Sequence, residues 1–129
     1  MDLKEKLDQI FSEYIRLRDS DDNGYLQCIS CPAVVFWKEA DCGHFVHRSN
    51  TSTRFDEINC NGQCRFCNRE KRGNSKGYKI GLTRKYGSGI LPRIEVVKRQ
   101  YLKITENEYK QLIAHYTKEV KQLKQQKGL

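Results

Sequence analysis

Between Asp41 and Asn68 the chain gathers nearly every side chain suited to metal or hydrolytic chemistry: Asp41, His44, His47, Asn59, Cys64, Cys67 and Asn68. Cys64 and Cys67 form a C-x2-C pair, and Cys28 and Cys31 form a second one upstream. Thiolates at this spacing can set two sulfurs about 2.3 Å from one tetrahedral Zn²⁺, so two pairs close a structural site. Zinc ribbons usually separate their pairs by roughly 15 to 20 residues. Here the gap is much longer, so something extra is held inside the clip. Its acid, histidines and asparagines suggest a metal-dependent nuclease site on a zinc-braced scaffold.

The elements that must position these groups are short. Leu3, Leu7, Ile10, Phe11, Tyr14 and Leu17 recur at helical spacing, so residues 2–19 read as an amphipathic helix, with Asp2 and Glu5 as a capping pair. Asp19 to Gly24 imitates the first half of a calcium loop, but the twelfth position is Ser30 rather than Glu, so it reads as a polar turn. Residues 34–37 read as a buried strand and 40–47 as a second, paired with it in a hairpin beside the metal. Residues 49–53 read as a polar loop, and 64–72 as a helix ending at Gly73. Knuckle, hairpin and helix make a treble-clef arrangement. Beyond it, Tyr78, Leu82 and Tyr86 suit a short helix, although its glycines argue against one. Residues 92–102 fit strand or helix equally. Thr105 and Glu108 form a capping box that opens a helix carrying Tyr109, Leu112, Ile113, Tyr116, Val120 and Leu123 on one face; its tail, 121–129, is expected to fray.

Length and composition suit one α+β domain: residues 1–24 a helix and turn, 25–74 the zinc-braced core, 75–129 a basic extension and last helix. The 129 residues are 37% hydrophobic and 31% charged, with six cysteines. No apolar run approaches the roughly 20 residues needed to cross a bilayer, and the amino terminus lacks a signal-peptide pattern. A cytoplasmic setting is therefore expected, where thiols at C-x2-C spacing favour metal over disulfides. Cys42 and Cys60 are then surplus: Cys42 reads as a buried thiol, and Cys60 keeps an alternative as a zinc ligand. From Arg65 to Lys103 twelve Lys or Arg face two Glu, whereas the whole chain is only +8. Such a stretch beside a metal site points to nucleic acid, with a solvated basic face as the plain alternative.

Asp41-x-Gly-His44-Phe, Arg54-Phe, Asn59, Gln63-Cys-x2-Cys67-Asn68 and Gly73-Asn74, with Tyr14-Ile-Arg-Leu-Arg-Asp19 ahead of the first cysteine pair, resemble the phage NinG (Rap) recombination family, members of the HNH or ββα-metal nucleases. The layout is also similar to phage endonuclease VII. The resemblance implies a zinc-braced ββα-metal core with flanking helices. It further implies structure-dependent cutting of branched recombination intermediates, such as Holliday junctions, in the bacterial host cell.

On that reading His44 is the general base, because an imidazole accepts a proton at neutral pH. Asp41 and Asn68 offer oxygens to a catalytic Mg²⁺ or Mn²⁺, a hard ion distinct from the zinc. Asn59 braces the catalytic loop. Arg48, Arg54, Arg65 and Arg69 are candidate phosphate clamps, with Lys71, Arg72, Lys76, Lys79, Arg84 and Lys85 completing the DNA face. Gly43 stands where HNH sites commonly carry a ligand. Asp41 and His44 therefore reach one ion only if Gly43 marks a bulge; otherwise His44 binds metal and His47 is the base. Two other functions stay open, a nuclease nicking ordinary duplex and a zinc-stabilised DNA-binding module without catalysis. A homodimer through the Thr105 helix would suit a two-fold junction.

Overall fold

The computed structural model describes residues 1–129. Helix α1, Leu3–Asp19, starts where Asp2 accepts the Glu5 N–H, and it buries Leu7, Phe11, Ile15 and Leu17. It stops at Ser20, whose hydroxyl donates to the Leu17 carbonyl. Its main partner is α5, Glu106–Lys127, opened by a complete Thr105–Glu108 capping box. Tyr116 sets its ring edge against Phe11 at 5.0 Å, while Val120 and Leu123 cover Leu17 and Trp37. Glu57 ties the two helices together, accepting from the Tyr14 hydroxyl at 2.8 Å and the Tyr116 hydroxyl at 3.0 Å.

Two small antiparallel sheets lie against this pair. Strand β1, Tyr25–Gln27, pairs with β2, Val34–Phe36, and the first cysteine pair sits in the connection. After a short 3-10 turn, β3, Ala40–His44, pairs with β4, Cys60–Cys64, in unbroken register from Ala40↔Cys64 to His44↔Cys60. Between β3 and β4 runs a one-turn helix α2, Thr51–Arg54. Beyond β4 a widened helical turn, Phe66–Glu70, leads to α3, Ser75–Tyr86, and α4, Ile90–Lys98. No helix is long and apolar enough to cross a membrane.

Several expectations from the sequence are corrected here. The strand at 34–37 does not pair with the one at 40–47; each has another partner, because the tight turn at Trp37–Glu39 carries the chain from one sheet to the other. That strand is not fully buried either, since Val34 is exposed. The helix expected from Cys64 begins two residues later, as Cys64 completes β4. The tail does not fray: α5 runs to Lys127, whose ammonium donates to the Leu17 and Ser20 carbonyls, both at 2.6 Å. The glycines in α3 let it approach the first cysteine loop. A Cβ at Gly81 would lie 1.8 Å from the Ile29 carbonyl oxygen, and one at Gly77 2.1 Å from that of Ser30. The apolar face of α5, named as a dimer contact, is spent on α1 within the chain.

Arg18 and Asp19 at the end of α1 hold β4 in place. Arg18 donates to the Glu57 and Cys60 carbonyls at 2.7 and 3.0 Å, and Asp19 accepts the Gly62 N–H at 2.7 Å and Lys85 at 3.0 Å. Burial alone would raise the Asp19 carboxyl, but Arg18, Lys85 and the Gly62 N–H outweigh it and hold it low. Removing one partner of such a buried pair strands the other charge. Asp19→Ala should therefore cost about 3 kcal/mol in denaturant unfolding at neutral pH. Since the folded pKa lies below the unfolded one, this contribution is complete above about pH 4 and disappears as pH falls through the folded value.

Candidate functional site

Four sulfurs meet where the two sheets and the turn after β4 come together. Cys28 directly follows β1, Cys31 lies further along the same loop, Cys64 closes β4 and Cys67 lies in the widened turn, with their Sγ atoms all within 4.8 Å of one another. Tetrahedral Zn–S bonds of 2.3 Å require sulfurs roughly 3.8 Å apart, and Cys31 and Cys64 stand at 3.7 Å. Each sulfur also receives one N–H: Ser30 N on Cys28, Ala33 N on Cys31, Cys67 N on Cys64 and Asn74 Nδ2 on Cys67. Donors of this kind steady thiolates around a cation. Burial pushes the Cys28 thiol up to about 12, so an ion must displace its proton. The set is arranged to hold a metal ion, and its chemistry suits structural Zn²⁺.

At the other end of β3 is a cleft of about 650 Å³, walled by α1 through Asp8 and Ser12 and by Asn68, Arg69 and Arg72 after β4. His44 lines it. Its Nε2 lies 2.9 Å from the Arg54 carbonyl, which can only accept, so Nε2 carries the proton and Nδ1 keeps a lone pair. Burial holds the ring below the ordinary imidazole value, and it is neutral at neutral pH.

Asp41 lines the same cleft, and no bulge interrupts the strand at Gly43. The ladder is regular through Gly43, so Asp41 and His44 stand on opposite faces of β3. Both nevertheless line the one cleft. Asp41 accepts from Asn68 Nδ2 at 2.9 Å and a two-pronged pair from Arg69 at 2.9 and 3.0 Å. Asn68 Oδ1 has no protein donor. Asn59 is fully buried and its amide is consumed, accepting from Val46 N and donating to the Val46 and Thr53 carbonyls. It shapes the loop and touches nothing in the cleft.

The basic residues separate into groups. Arg48, Arg69 and Arg72 border the cleft, and Arg65 reaches toward Asp41 at 3.9 Å from an exposed position. Arg54 does not serve as a clamp: it is buried, paired through Nε and Nη2 with Asp8, and it donates to the Arg48 carbonyl. Lys85 is likewise engaged, by Asp19 and Asn61, and with Arg84 borders a different hollow. Lys71 lies over the Phe66 ring, Lys76 is exposed, and Lys79 borders a third hollow. His47 is exposed at the rim, with Nδ1 accepting the Ser49 N–H. Cys42 is half-buried on the cleft wall rather than buried, and Cys60 stands far from the four-sulfur group. Asp8 and the Arg54 carbonyl were missed from the sequence. Nothing local distinguishes Asp8 from other acids on α1.

Residues 1–126 match the family model described as Bacteriophage Lambda NinG protein. The chain belongs to the NinG family. It is similar to Protein ninG of Salmonella phage P22, at 33% identity over 117 residues, 90% of this chain and 55% of that protein. It is similar also to Protein ninG of Escherichia phage lambda, at 32% over 117 residues, 90% of this chain and 54% of that one. The chain thus spans about half the length of these NinG relatives. No solved structure gives a significant match.

Stripping the metal tests the sulfur cluster. Under reducing conditions a strong chelator should release tightly held zinc and shift the thermal midpoint down by about 10 °C or more, because ion binding is coupled to folding. An unchanged melt with no zinc released would remove the assignment.

Proposed function

We propose that this NinG-family chain is a divalent-metal-dependent endonuclease for branched DNA of phage recombination, on a zinc-braced ββα-metal core. One observation carries the reading: His44 is fixed by the Arg54 carbonyl with Nδ1 left as an acceptor, in a cleft shared with Asp41 and Asn68. Phosphodiester hydrolysis needs a base for water, positive charge on the phosphate and help for the leaving oxygen. His44 Nδ1 takes the proton of the attacking water. Arg48 and Arg72 hold the phosphate, and the exposed Lys71 and Lys76 extend the grip along the backbone.

Asp41 and the free Oδ1 of Asn68 fit a hard cation such as Mg²⁺ or Mn²⁺. A cation held there would supply positive charge to the phosphate and to the leaving oxygen. Arg69 pairs with Asp41, but its side chain is 60% exposed, so it would be free to leave the carboxylate to a cation and turn to the phosphate. The same ion pair supports a second reading. If Arg69 holds Asp41 permanently, the chain is a zinc-stabilised DNA-binding module.

The decisive assay offers four-way, Y-shaped and linear duplex DNA with Mg²⁺ or Mn²⁺. Cutting of the branched forms is expected, reduced about a hundredfold or more in His44→Ala. Equal cutting of linear duplex would make it a general nuclease, and tight binding without cutting would favour the binding module. Arg69→Ala should lower the Mg²⁺ concentration giving half-maximal cutting, because the carboxylate no longer exchanges partners. A raised requirement would put Arg69 outside the ion's site.

A further inference from the structure

We propose that Cys42, His44 and Cys60 form a second metal site, for a soft or borderline ion of the Zn²⁺ class, whose occupation takes His44 out of service. Cys42 and His44 are two apart on β3, and Cys60 is the cross-strand partner of His44. All three therefore project from one face of the ladder, the face toward α1. Their donor atoms lie within 4.8 Å of one another. Cys42 and His44 line the cleft, and Cys60 beside them is fully buried.

Donor type decides which ion each site takes. Two sulfurs and an imidazole select zinc-like ions, whereas the oxygens of Asp41 and Asn68 suit Mg²⁺ or Mn²⁺. Two thiol protons leave to solvent as two metal–sulfur bonds form, and the imidazole contributes a lone pair. Four sulfurs complete a tetrahedral set, whereas this site offers only three protein donors, so the four-cysteine cluster fills first and this site second.

His44 loses its role whichever nitrogen binds. An ion on Nδ1 consumes the lone pair that accepts the proton. An ion on Nε2 displaces the Arg54 carbonyl and forces the ring proton onto Nδ1, with the same result. A second zinc ion and a working base are mutually exclusive. This consequence rests on the nuclease reading; the site itself does not.

Reduced protein carrying one equivalent of zinc is titrated with Co²⁺, with released zinc followed by a chelating dye. Uptake of cobalt without zinc release, giving thiolate-to-cobalt charge-transfer absorption, is expected. Cys42→Ser should weaken that binding about tenfold or more and lower the absorption. Cys60→Ser is the harsher variant, and Cys42, on the cleft wall, can change with little risk to the fold. Absence of the thiolate band, or a band unchanged in Cys42→Ser, overturns the site. On junction DNA in Mg²⁺, added Zn²⁺ should suppress cutting in proportion to occupancy of this site. A cobalt spectrum in a protein that cuts no DNA keeps the site and removes the nuclease reading. Cutting in a protein with no second thiolate band removes the site alone.

Discussion

The pairing of β3 with β4 is the constraint on which the other arrangements depend. One end of that ladder, Ala40↔Cys64, delivers a sulfur to the four-cysteine group, and the other, His44↔Cys60, sets the imidazole at the cleft. The register is held from three sides. Arg18 and Asp19 grip the β4 backbone from α1, the Tyr78 hydroxyl donates to the Gly43 carbonyl from α3, and Asn59 pins the loop between the strands. A one-residue slip would turn His44 to the opposite face and draw Cys64 away from the other sulfurs. The scaffold and the candidate site are thus mechanically one object, although their chemistries differ.

Charge in the cleft is balanced carboxylate by carboxylate. Asp8 is met by Arg54 and Asp41 by Arg69, which leaves Arg48 and Arg72 as the surplus. Arg54 has two jobs through different atoms, since its guanidinium neutralises Asp8 while its carbonyl fixes the tautomer of His44. The surroundings of His44 are therefore set by α1 as much as by the strand that carries it.

Features encoded over a few residues were legible in the sequence. The C-x2-C pairs and the Thr105 capping box bring their partners together within one turn, so spacing alone suffices. Strand pairing was not legible, because β4 reads Cys-Asn-Gly-Gln-Cys, with no β-branched or aromatic residue and no alternation. It is buried on both faces, and Asn61 and Gln63 find their partners far along the chain in Lys85 and Ser30. The engagement of Arg54 was hidden for the same reason, its partner Asp8 lying 46 residues away. A basic residue reads alike in sequence whether it awaits a phosphate or already holds a carboxylate.

The absence of a side chain at Gly43 is a structural necessity with a bearing on redesign. Gln63 lies over the glycine, and a Cβ there would meet its Oε1 at 2.1 Å. The same Gln63 amide bridges Ser30 and Gly73, joining the first cysteine loop to the turn after the second. Grafting a histidine at position 43 would thus require trimming Gln63, and with it the strut between the two halves of the sulfur cluster. The glycine at position 43 and the long amide at position 63 are spatially coupled: what can be placed at 43 is set by what stands at 63.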